Sequence, residues 1–330
     1  MSTPLPSASK HHQSSWLVIV LLFLVLALPP ISIIAAIMVP GPLPEARTVI
    51  VPHGSNVYGI ASLLDKNEAI RSKTAFRIAA KLLASYQLKA GEYQITPHQS
   101  IADIVVMMHE GDSVVHWFTV AEGLTSADIT NLLKNDPALT GDIPVPPEGS
   151  LLPETYRYSY GDSRAALIAR MQKSMQDALN DLWDKRDPSI PLKTPLEAVT
   201  LASIVEKETG KVAERPRIAG VFYNRLHQSM RLQSDPTVIY AIVHAKGSLD
   251  HELAHDDLMF PSPYNTYASD GLPPLPICNP GRAALDAAMH PEQNDFLYFV
   301  ADGTGGHVFS KNLAEHNQNV TKWNAIKVKQ

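Results

Sequence analysis

The chain of 330 residues has little cysteine and no surplus of positive charge. Cys278 is its single cysteine, which excludes an intrachain disulfide and a cysteine-rich metal cluster, so stability must come from packing. The thiol itself is expected to be a small filler of core or loop. The formal net charge is -5 and both signs are interleaved, whereas a nucleic-acid-binding protein has a concentrated basic face. The composition therefore excludes a nucleic-acid partner.

Charge is also absent from residues 16–39, a run rich in Leu, Ile and Val. The run exceeds the roughly 20 residues that a helix needs to cross a bilayer, so it is predicted to be a transmembrane helix in contact with lipid. Two prolines interrupt it and keep a cleavable signal peptide as the alternative, although no small-x-small cleavage site follows. Lys10 precedes the run and Glu45 is the first acid after it, so the positive-inside rule places residues 1–15 in the cytoplasm.

Three alternating prolines follow the apolar run and precede a weakly repeated middle region. Pro40, Pro42 and Pro44 predict a stiff, extended spacer between the membrane and the folded part. Beyond it, residues 51–64 are echoed at a constant offset by residues 120–133. Each half is expected to hold a strand, a turn at glycine and a helix, followed by an aromatic strand and a capped helix.

A second echo in the middle region sets Tyr93 and Ser100 against Tyr156 and Ser163. The first half also resembles a LysM module, the small βααβ domain that grips glycans containing N-acetylglucosamine. The alternative is that both halves are spacers that position the C-terminal part of the chain.

A helix with clear end signals opens that C-terminal part. Thr194 is typical of an N-cap, Pro195 of the first helical position and Glu197 of the third, where it closes a capping box. Gly210 is expected to end the helix. Apolar residues cover most of its circumference, so the helix should be largely buried.

Two glutamates lie near the end of this helix. Glu206 and Glu208 are separated by about 200° around the axis, so only one of them can face a given cleft. A carboxyl at the end of an apolar helix loses solvation, and the negative end of the helix dipole also disfavours its anion, which raises the pKa toward that of a general acid. An exposed ion pair with Lys207, Lys211 or Arg215 is the ordinary alternative.

An ordered series of motifs runs from the two glutamates to the C-terminus. They are ASIVEKET (202–209), VFYNRL (221–226), MRLQSDPTVIY (230–240), SPYNTY (262–267), GLPP (271–274), NPG (279–281), YFVADG (298–303), GHVF (306–309) and EHN (315–317). Together with the LysM-like region, this series is similar to the MltG-type, YceG-like family of endolytic murein transglycosylases. Leu275 departs from the family, which commonly has Gly after the paired prolines.

The resemblance implies a lytic murein transglycosylase, a carbon-oxygen lyase that cleaves the β-1,4 bond between MurNAc and GlcNAc without water and leaves a 1,6-anhydro sugar. It assigns catalysis to Glu206, the first glutamate of Val-Glu-Lys-Glu, as the acid that protonates the glycosidic oxygen and the base that then takes the C6 hydroxyl proton. The acetamido group of the substrate can replace the second carboxylate of other glycosidases. No cofactor and no metal are expected.

The same resemblance sets the expected partners and location. The partners are peptidoglycan glycan strands and cell-wall synthases, and the location is the inner membrane with the catalytic domain outside the cytoplasm. There the enzyme would end the elongation of nascent strands.

The predicted fold class is α+β, in six parts. They are a cytoplasmic tail (1–15), a transmembrane helix (16–39), a linker (40–47), a LysM-like unit (48–112), a second related α/β unit (113–190) and a mixed α+β catalytic transglycosylase domain (191–330).

Polar and aromatic residues of the matching motifs are the candidates for substrate binding, because sugar sites combine flat aromatic faces with orienting hydrogen bonds. They are Gln233, Asp235, Thr237, Tyr240, Tyr264, Asn265 and Tyr267. For each tyrosine, core packing is an equal alternative. Asp235 is instead favoured as the cap of the helix that Pro236 starts.

Two other functions fit parts of the sequence. His251, Glu252 and His255 match the H-E-x-x-H pattern of zinc peptidases, but the segment is short, polar and flanked by aspartates, and no third histidine follows in the metzincin pattern. A membrane-tethered scaffold that binds glycans without cutting them is the second alternative, with Glu206 as a structural residue.

Overall fold

The computed structural model describes residues 16, 19 and 31–327, and the chain divides into two compact units. Unit 1 is Met1–His116 with Ser159–Gly161, and unit 2 is Trp117–Tyr158 with Asp162–Gln330. The described elements are mostly helices, accompanied by small two-stranded sheets. The α+β part of the predicted fold class is therefore confirmed.

Unit 1 is built from two strands and three helices around its own core. In chain order they are β1 (Arg47–Val51), α1 (Val57–Lys66), α2 (Lys73–Ala84), β2 (Gly91–Ile95) and α3 (Ile101–Glu110). The strands are antiparallel, with Val49 opposite Tyr93, and both of these side chains are buried. Ser100 caps α3 in a capping box, as its place before an apolar periodic segment predicts. The strand–helix–helix–strand order is that of the predicted LysM-like unit, whose resemblance to LysM stays a prediction.

Residues 31–44 belong to unit 1 and do not form a free spacer. Residues 31–38 are helical, and Ile37 and Leu43 are buried in the unit 1 core. The backbone N–H of Gly41 donates to the His98 carbonyl at 3.0 Å, and the N–H of His98 donates to the Leu43 carbonyl at 2.9 Å. Arg71 donates to the Pro40 carbonyl at 2.5 Å. The backbone bends at residues 39, 42, 44 and 45, and these hydrogen bonds hold the segment against the rest of the unit.

The predicted membrane span falls mainly outside the described residues. Residues 16, 19 and 31–39 are the part of it that the structure describes. Within the described part of the chain, no helix combines the length and the apolar character that a membrane crossing requires.

Unit 2 holds the remaining strands and helices, except that the first two residues of its first strand and the last residue of its second strand belong to unit 1. They are β3 (Val115–Thr119), α4 (Ser126–Lys134), β4 (Thr155–Ser159), α5 (Arg164–Trp183), α6 (Pro195–Glu208), α7 (Arg215–His227), α8 (Asp235–Lys246), α9 (Arg282–Met289), β5 (Tyr298–Ala301), β6 (His307–Ser310) and α10 (Leu313–Lys327), with 3-10 turns at Val212–Glu214 and His255–Met259. The strands pair β3 with β4 and β5 with β6. Most of the unit 2 core surrounds α6, which packs against α7 and α9.

The weak internal repeat has a counterpart in hydrogen bonding. Tyr93 on β2 donates its hydroxyl proton to the Lys89 carbonyl, and Tyr156 on β4 donates to the Leu152 carbonyl. In both cases the acceptor lies four residues earlier, and in both cases the ring is buried. The aromatic strand of each half therefore braces the turn that precedes it.

The helix that bears the two glutamates begins as predicted and ends differently. The Thr194 hydroxyl accepts from the Glu197 N–H, and the Glu197 carboxylate accepts from the Thr194 N–H, so the capping box is confirmed. The chain leaves the helix at Thr209, whose backbone is extended, and Gly210 is not left-handed. Every residue from Ala198 to Glu206 is buried, as its apolar circumference requires.

Candidate active site

The last turn of α6 sends its two glutamates in different directions. Glu206 is buried in an ionic cluster with Arg215, and Glu208 lines an open pocket. The predicted angular separation of Glu206 and Glu208 around the helix axis is therefore observed, and each carboxyl has a different set of neighbours. The chemistry of the site depends on which of the two can reach a substrate.

Glu206 is held by an arginine and a backbone amide. Its Oε1 accepts from Arg215 Nη2 at 2.6 Å, and its Oε2 accepts from the Gly281 N–H at 2.9 Å. Both side chains of the ion pair are only 4% exposed. Arg215 Nη2 also donates to Glu122 at 3.0 Å, so one guanidinium nitrogen joins two carboxylates. Burial raises the pKa of Glu206, while the Gly281 N–H and the Arg215 charge oppose that rise.

Gly281 makes this ionic cluster possible. A Cβ atom there would lie 1.9 Å from Glu122 Oε1, so only glycine admits the carboxylate at that distance. The buried side chain of the preceding Asn279 fixes the segment: its Nδ2 donates to the Leu124 carbonyl, and its Oδ1 accepts from the Leu151 N–H. The NPG motif therefore serves the geometry of Glu206.

Glu208 lines a pocket of about 370 Å³. The residues around it come from six segments of unit 2: Glu208, Arg225, Leu232, Gln233, Asp235, Tyr267, Tyr298, Phe299, Leu313 and His316. Ser234 donates its hydroxyl proton to Glu208 Oε1. Burial, assisted by the negative charge of Asp235, raises the pKa of Glu208 to about 7, against the opposing effects of Ser234 and Arg225. A carboxyl that is substantially protonated near neutral pH is suited to general acid catalysis.

Three predicted substrate-binding residues line this same pocket. Gln233, Asp235 and Tyr267 surround it with Glu208. Gln233 is in the left-handed region, with φ of 48°, and its N–H donates to the Thr266 carbonyl. The Tyr267 hydroxyl donates to Asp235 Oδ1 at 2.6 Å. Asp235 is thus occupied by the tyrosine, and the expected role as a helix cap is not observed, because the N-cap is Ser234 and it makes no side-chain cap bond.

Two other predicted binding residues are fully buried, which differs from the expected contact with a glycan. Thr237 Oγ1 donates to the Ser234 carbonyl at 2.6 Å and lies 2.9 Å from Thr266 Oγ1. Asn265 Nδ2 donates to the carbonyls of Leu258 and Phe260. Their side chains hold the loop that bears Tyr267 against the start of α8, so they support the pocket from behind.

Tyr240 and Tyr264 form a separate aromatic cluster. Their ring centroids lie 5.1 Å apart, and the ring of His244 stacks on Tyr240 at 5.4 Å with an interplanar angle of 12°. Both tyrosines are partly buried, and His244 is exposed. Neither tyrosine is among the residues that line the Glu208 pocket. Partly exposed aromatic rings of this kind suit contact with sugar faces.

The H-E-x-x-H segment does not have the geometry of a zinc helix. His251 lies in a bend and pairs with Asp257 at 2.9 Å, whereas His255 begins a 3-10 turn. The two histidines are therefore not placed one turn apart on a continuous helix. Within residues 31–327, no group of three or more His, Cys, Asp and Glu side chains is arranged to hold a metal ion.

Four residues that line the pocket are not among the candidates that the sequence predicts. They are Glu208, Arg225, Tyr298 and His316. Arg225 is buried, and its donors reach the backbone carbonyls of Leu297 and Leu232, both at 2.7 Å. All four lie inside the motifs VEKET, FYNRL, YFVADG and EHN, so motif membership was the signal that could have found them.

Comparison with known proteins places these motifs in one family. Residues 49–322 match the YceG-like family. The chain belongs to this family. An endolytic murein transglycosylase of Bacillus subtilis (strain 168) is 32% identical over 314 residues, which cover 84% of this chain and 86% of that protein. An endolytic murein transglycosylase of Streptococcus pneumoniae (serotype 2, strain D39) is also 32% identical, over 83% of this chain and 58% of that protein.

A solved structure has the same fold as this YceG-like chain. It is a YceG-like protein of Listeria monocytogenes, 33% identical, with a TM-score of 0.52 over 83% of this chain and 99% of that chain. The predicted family is confirmed, and the prediction of a lytic murein transglycosylase is confirmed at the level of its relatives. The assignment of individual site residues stays a prediction.

Proposed function

We propose that this YceG-like protein cleaves the β-1,4 bond between MurNAc and GlcNAc in peptidoglycan without water, in the pocket that contains Glu208. The observation that supports this most is the environment of Glu208, a carboxyl whose pKa is raised to about 7 beside aromatic and polar side chains. The relatives named endolytic murein transglycosylases supply the substrate class.

Glu208 performs both proton transfers in the proposed mechanism. In its protonated form it gives a proton to the glycosidic oxygen as the bond to C1 breaks. The resulting carboxylate then takes the proton of the C6 hydroxyl, whose oxygen bonds to C1 and closes the 1,6-anhydro ring. The substrate's acetamido group stabilises the positive charge at C1 in the way known for substrate-assisted glycosidases.

The geometry favours Glu208 over the predicted Glu206 as this acid and base. Glu206 is sealed from solvent, and both of its oxygens accept bonds from Arg215 and Gly281. Because both oxygens are engaged by buried donors, the Glu206 carboxyl is poorly placed to give a proton to a substrate, although burial raises its pKa. We therefore propose that Glu206 is a positioning residue, which ties the end of α6 to Arg215 on α7 and so directs Glu208 into the pocket.

The decisive experiment compares two isosteric substitutions. In Glu208→Gln, release of fragments with 1,6-anhydro ends from purified glycan should fall by at least about 100-fold, because an amide cannot donate the proton. In Glu206→Gln, the melting temperature should fall while products with anhydro ends are still released. Mass spectrometry of the products and thermal unfolding of both variants check this. Loss of release in Glu206→Gln alone, at unchanged stability, would return the catalytic role to Glu206.

We further propose that residues 16–39 anchor the protein in the inner membrane, with the catalytic domain outside the cytoplasm and near the synthases that make nascent strands. The uncharged sequence supports this, and so do the exposed side chains of Ile31, Ile34 and Met38 on the helical segment 31–38. Fractionation of the full chain, with a protease that attacks only from outside, tests the topology. Release of the intact protein by carbonate washing would exclude the anchor.

Unit 1 is proposed to bind glycan strands as a LysM-like module. Its strand–helix–helix–strand order and its antiparallel β1 and β2 support this. Pull-down of the Glu208→Gln variant on insoluble peptidoglycan tests binding without cleavage. Binding without any release of anhydro ends by the unmodified protein would favour the non-catalytic scaffold.

A further inference from the structure

A histidine from the C-terminal helix lines the same pocket as Glu208. His316 lies on α10, which packs against β5, and its imidazole stacks on Tyr298 of that strand with ring centroids 5.1 Å apart and an interplanar angle of 25°. The stacking and the packing of the helix fix the plane of the ring. His316 therefore has a defined orientation at the pocket wall.

The two nitrogens of this ring have different surroundings. Nδ1 is buried and has no hydrogen-bond partner in the part of the chain that the structure describes. Burial and the nearby charge of Arg225 lower the pKa of His316, which favours the neutral ring. A neutral imidazole can still form hydrogen bonds through both nitrogens, one as donor and one as acceptor. Because Nδ1 is sealed, Nε2 is the nitrogen that a molecule in the pocket can use.

Neighbouring polar groups of the pocket are already engaged. Arg225 donates to three backbone carbonyls, and the Tyr267 hydroxyl donates to Asp235. Glu208 accepts from Ser234 on one of its oxygens. The imidazole of His316, in contrast, is held by ring stacking and makes no hydrogen bond within residues 31–327. Its capacity for a hydrogen bond is therefore available to a ligand.

We propose that His316 contacts the sugar through Nε2 and orients the C6 hydroxyl that closes the anhydro ring. This rests on the proposed function of the pocket. The atoms balance as follows: the bond from C1 to the leaving oxygen breaks, Glu208 gives that oxygen its proton, the C6 oxygen bonds to C1, and the C6 hydroxyl proton passes to Glu208. When the C6 hydroxyl is held against C1, water cannot attack C1. His316 therefore determines whether the products have anhydro ends or reducing ends.

Two substitutions separate this contact from a structural role. His316→Phe keeps a ring that can stack on Tyr298 and removes both nitrogens. His316→Gln places an amide near the former position of Nε2 and gives up the stacking. Asn317→Ala, on the exposed neighbouring position of α10, is the matched control. For each variant, kcat, KM, the ratio of anhydro to reducing ends and the melting temperature are measured on purified, uncrosslinked glycan.

In His316→Phe, kcat should fall by about 10- to 100-fold, the size expected for one lost hydrogen bond to the transition state, and the share of reducing ends should rise. His316→Gln should restore part of both properties, and Asn317→Ala should behave like the unmodified protein. The proposal is overturned if His316→Phe keeps the rate and the product ratio, or if both His316 variants lose activity in proportion to their melting temperature. If the unmodified protein releases no anhydro ends, the proposed function fails instead.

Discussion

Arg215 Nη2 lies 2.6 Å from Glu206 Oε1 and 3.0 Å from Glu122 Oε2, so a single nitrogen bridges two carboxylates. Arg215 Nε and Nη1 are buried without a partner among the described residues. A buried charge that loses its partner costs about 3–5 kcal/mol. We therefore expect Arg215→Leu to lower the free energy of unfolding by about 3 kcal/mol, measured by urea denaturation.

The double variant Glu206→Leu/Arg215→Leu provides the control for this ion pair. Because it leaves neither charge buried alone, its loss of stability should be smaller than the sum for the two single variants. Additive losses would show that the two residues stabilise the fold independently, and would remove the argument that their pair positions the end of α6.

The pH dependence of activity follows from the raised pKa of Glu208. The first step requires the protonated carboxyl, and burial raises its pKa to about 7. The rate at saturating substrate should therefore be maintained below about pH 7 and fall as the pH rises above it, until other groups limit the reaction at low pH. A pH profile of kcat measures this. A rate that stays constant from pH 6 to pH 9 would exclude Glu208 as the acid.

The same group makes the stability of the fold depend on pH. The folded protein binds the Glu208 proton more tightly than the unfolded chain, whose glutamate has a pKa near 4.5. The stabilisation by this proton is fully present below that value, and it is lost as the pH rises through about 7. In Glu208→Gln this component should disappear, so the difference in melting temperature between the unmodified protein and the variant should change across this window. An unchanged difference from pH 4.5 to pH 8 would contradict the assignment.

Local signals in the sequence were sufficient for the start of α6 and for the angle between its two glutamates. The capping box joins Thr194 to Glu197 within one turn, and the separation of Glu206 and Glu208 follows from helical geometry alone. Local signals do not decide which of the two glutamates can meet a substrate. That depends on contacts across a long sequence separation, such as the Gly281 N–H that donates to Glu206.

For the predicted substrate-binding residues too, the sequence motif alone does not show which side chains line the pocket. Motif membership selected Tyr267, which lines the pocket, and Asn265, which is fully buried, although the two are neighbours in one loop. Their roles differ because the loop folds back on Leu258 and Phe260, and the Asn265 amide must satisfy those carbonyls. The sequence pattern indicates that such a loop is polar. Which of its side chains line the pocket and which are buried depends on the folded path of the loop.

The aromatic cluster of Tyr240 and Tyr264 predicts a contact with the glycan outside the Glu208 pocket. The ring centroids lie 5.1 Å apart with an interplanar angle of 59°, and both rings are only partly buried, so each leaves part of its surface for a sugar ring. We expect Tyr264→Ala to raise KM for long strands by about 10-fold and to leave kcat within about twofold, because the contact is distant from the bond that breaks. Equal losses in kcat and kcat/KM would instead place this residue at the reacting sugar.

The helical segment 31–38 predicts that the proposed membrane anchor is continuous with the packing of unit 1. Ile37 is 6% exposed and belongs to the unit 1 core, whereas Ile34 on the same segment is 58% exposed. Removing buried methyl groups leaves a cavity that costs about 2–5 kcal/mol, while truncation of an exposed side chain has a small effect. Ile37→Ala in the full chain, purified in detergent, should therefore destabilise unit 1 by at least about 2 kcal/mol in urea, and Ile34→Ala should not. Equal effects of the two substitutions would mean that residues 31–38 do not pack on the unit, and that the anchor is joined to it through a free spacer.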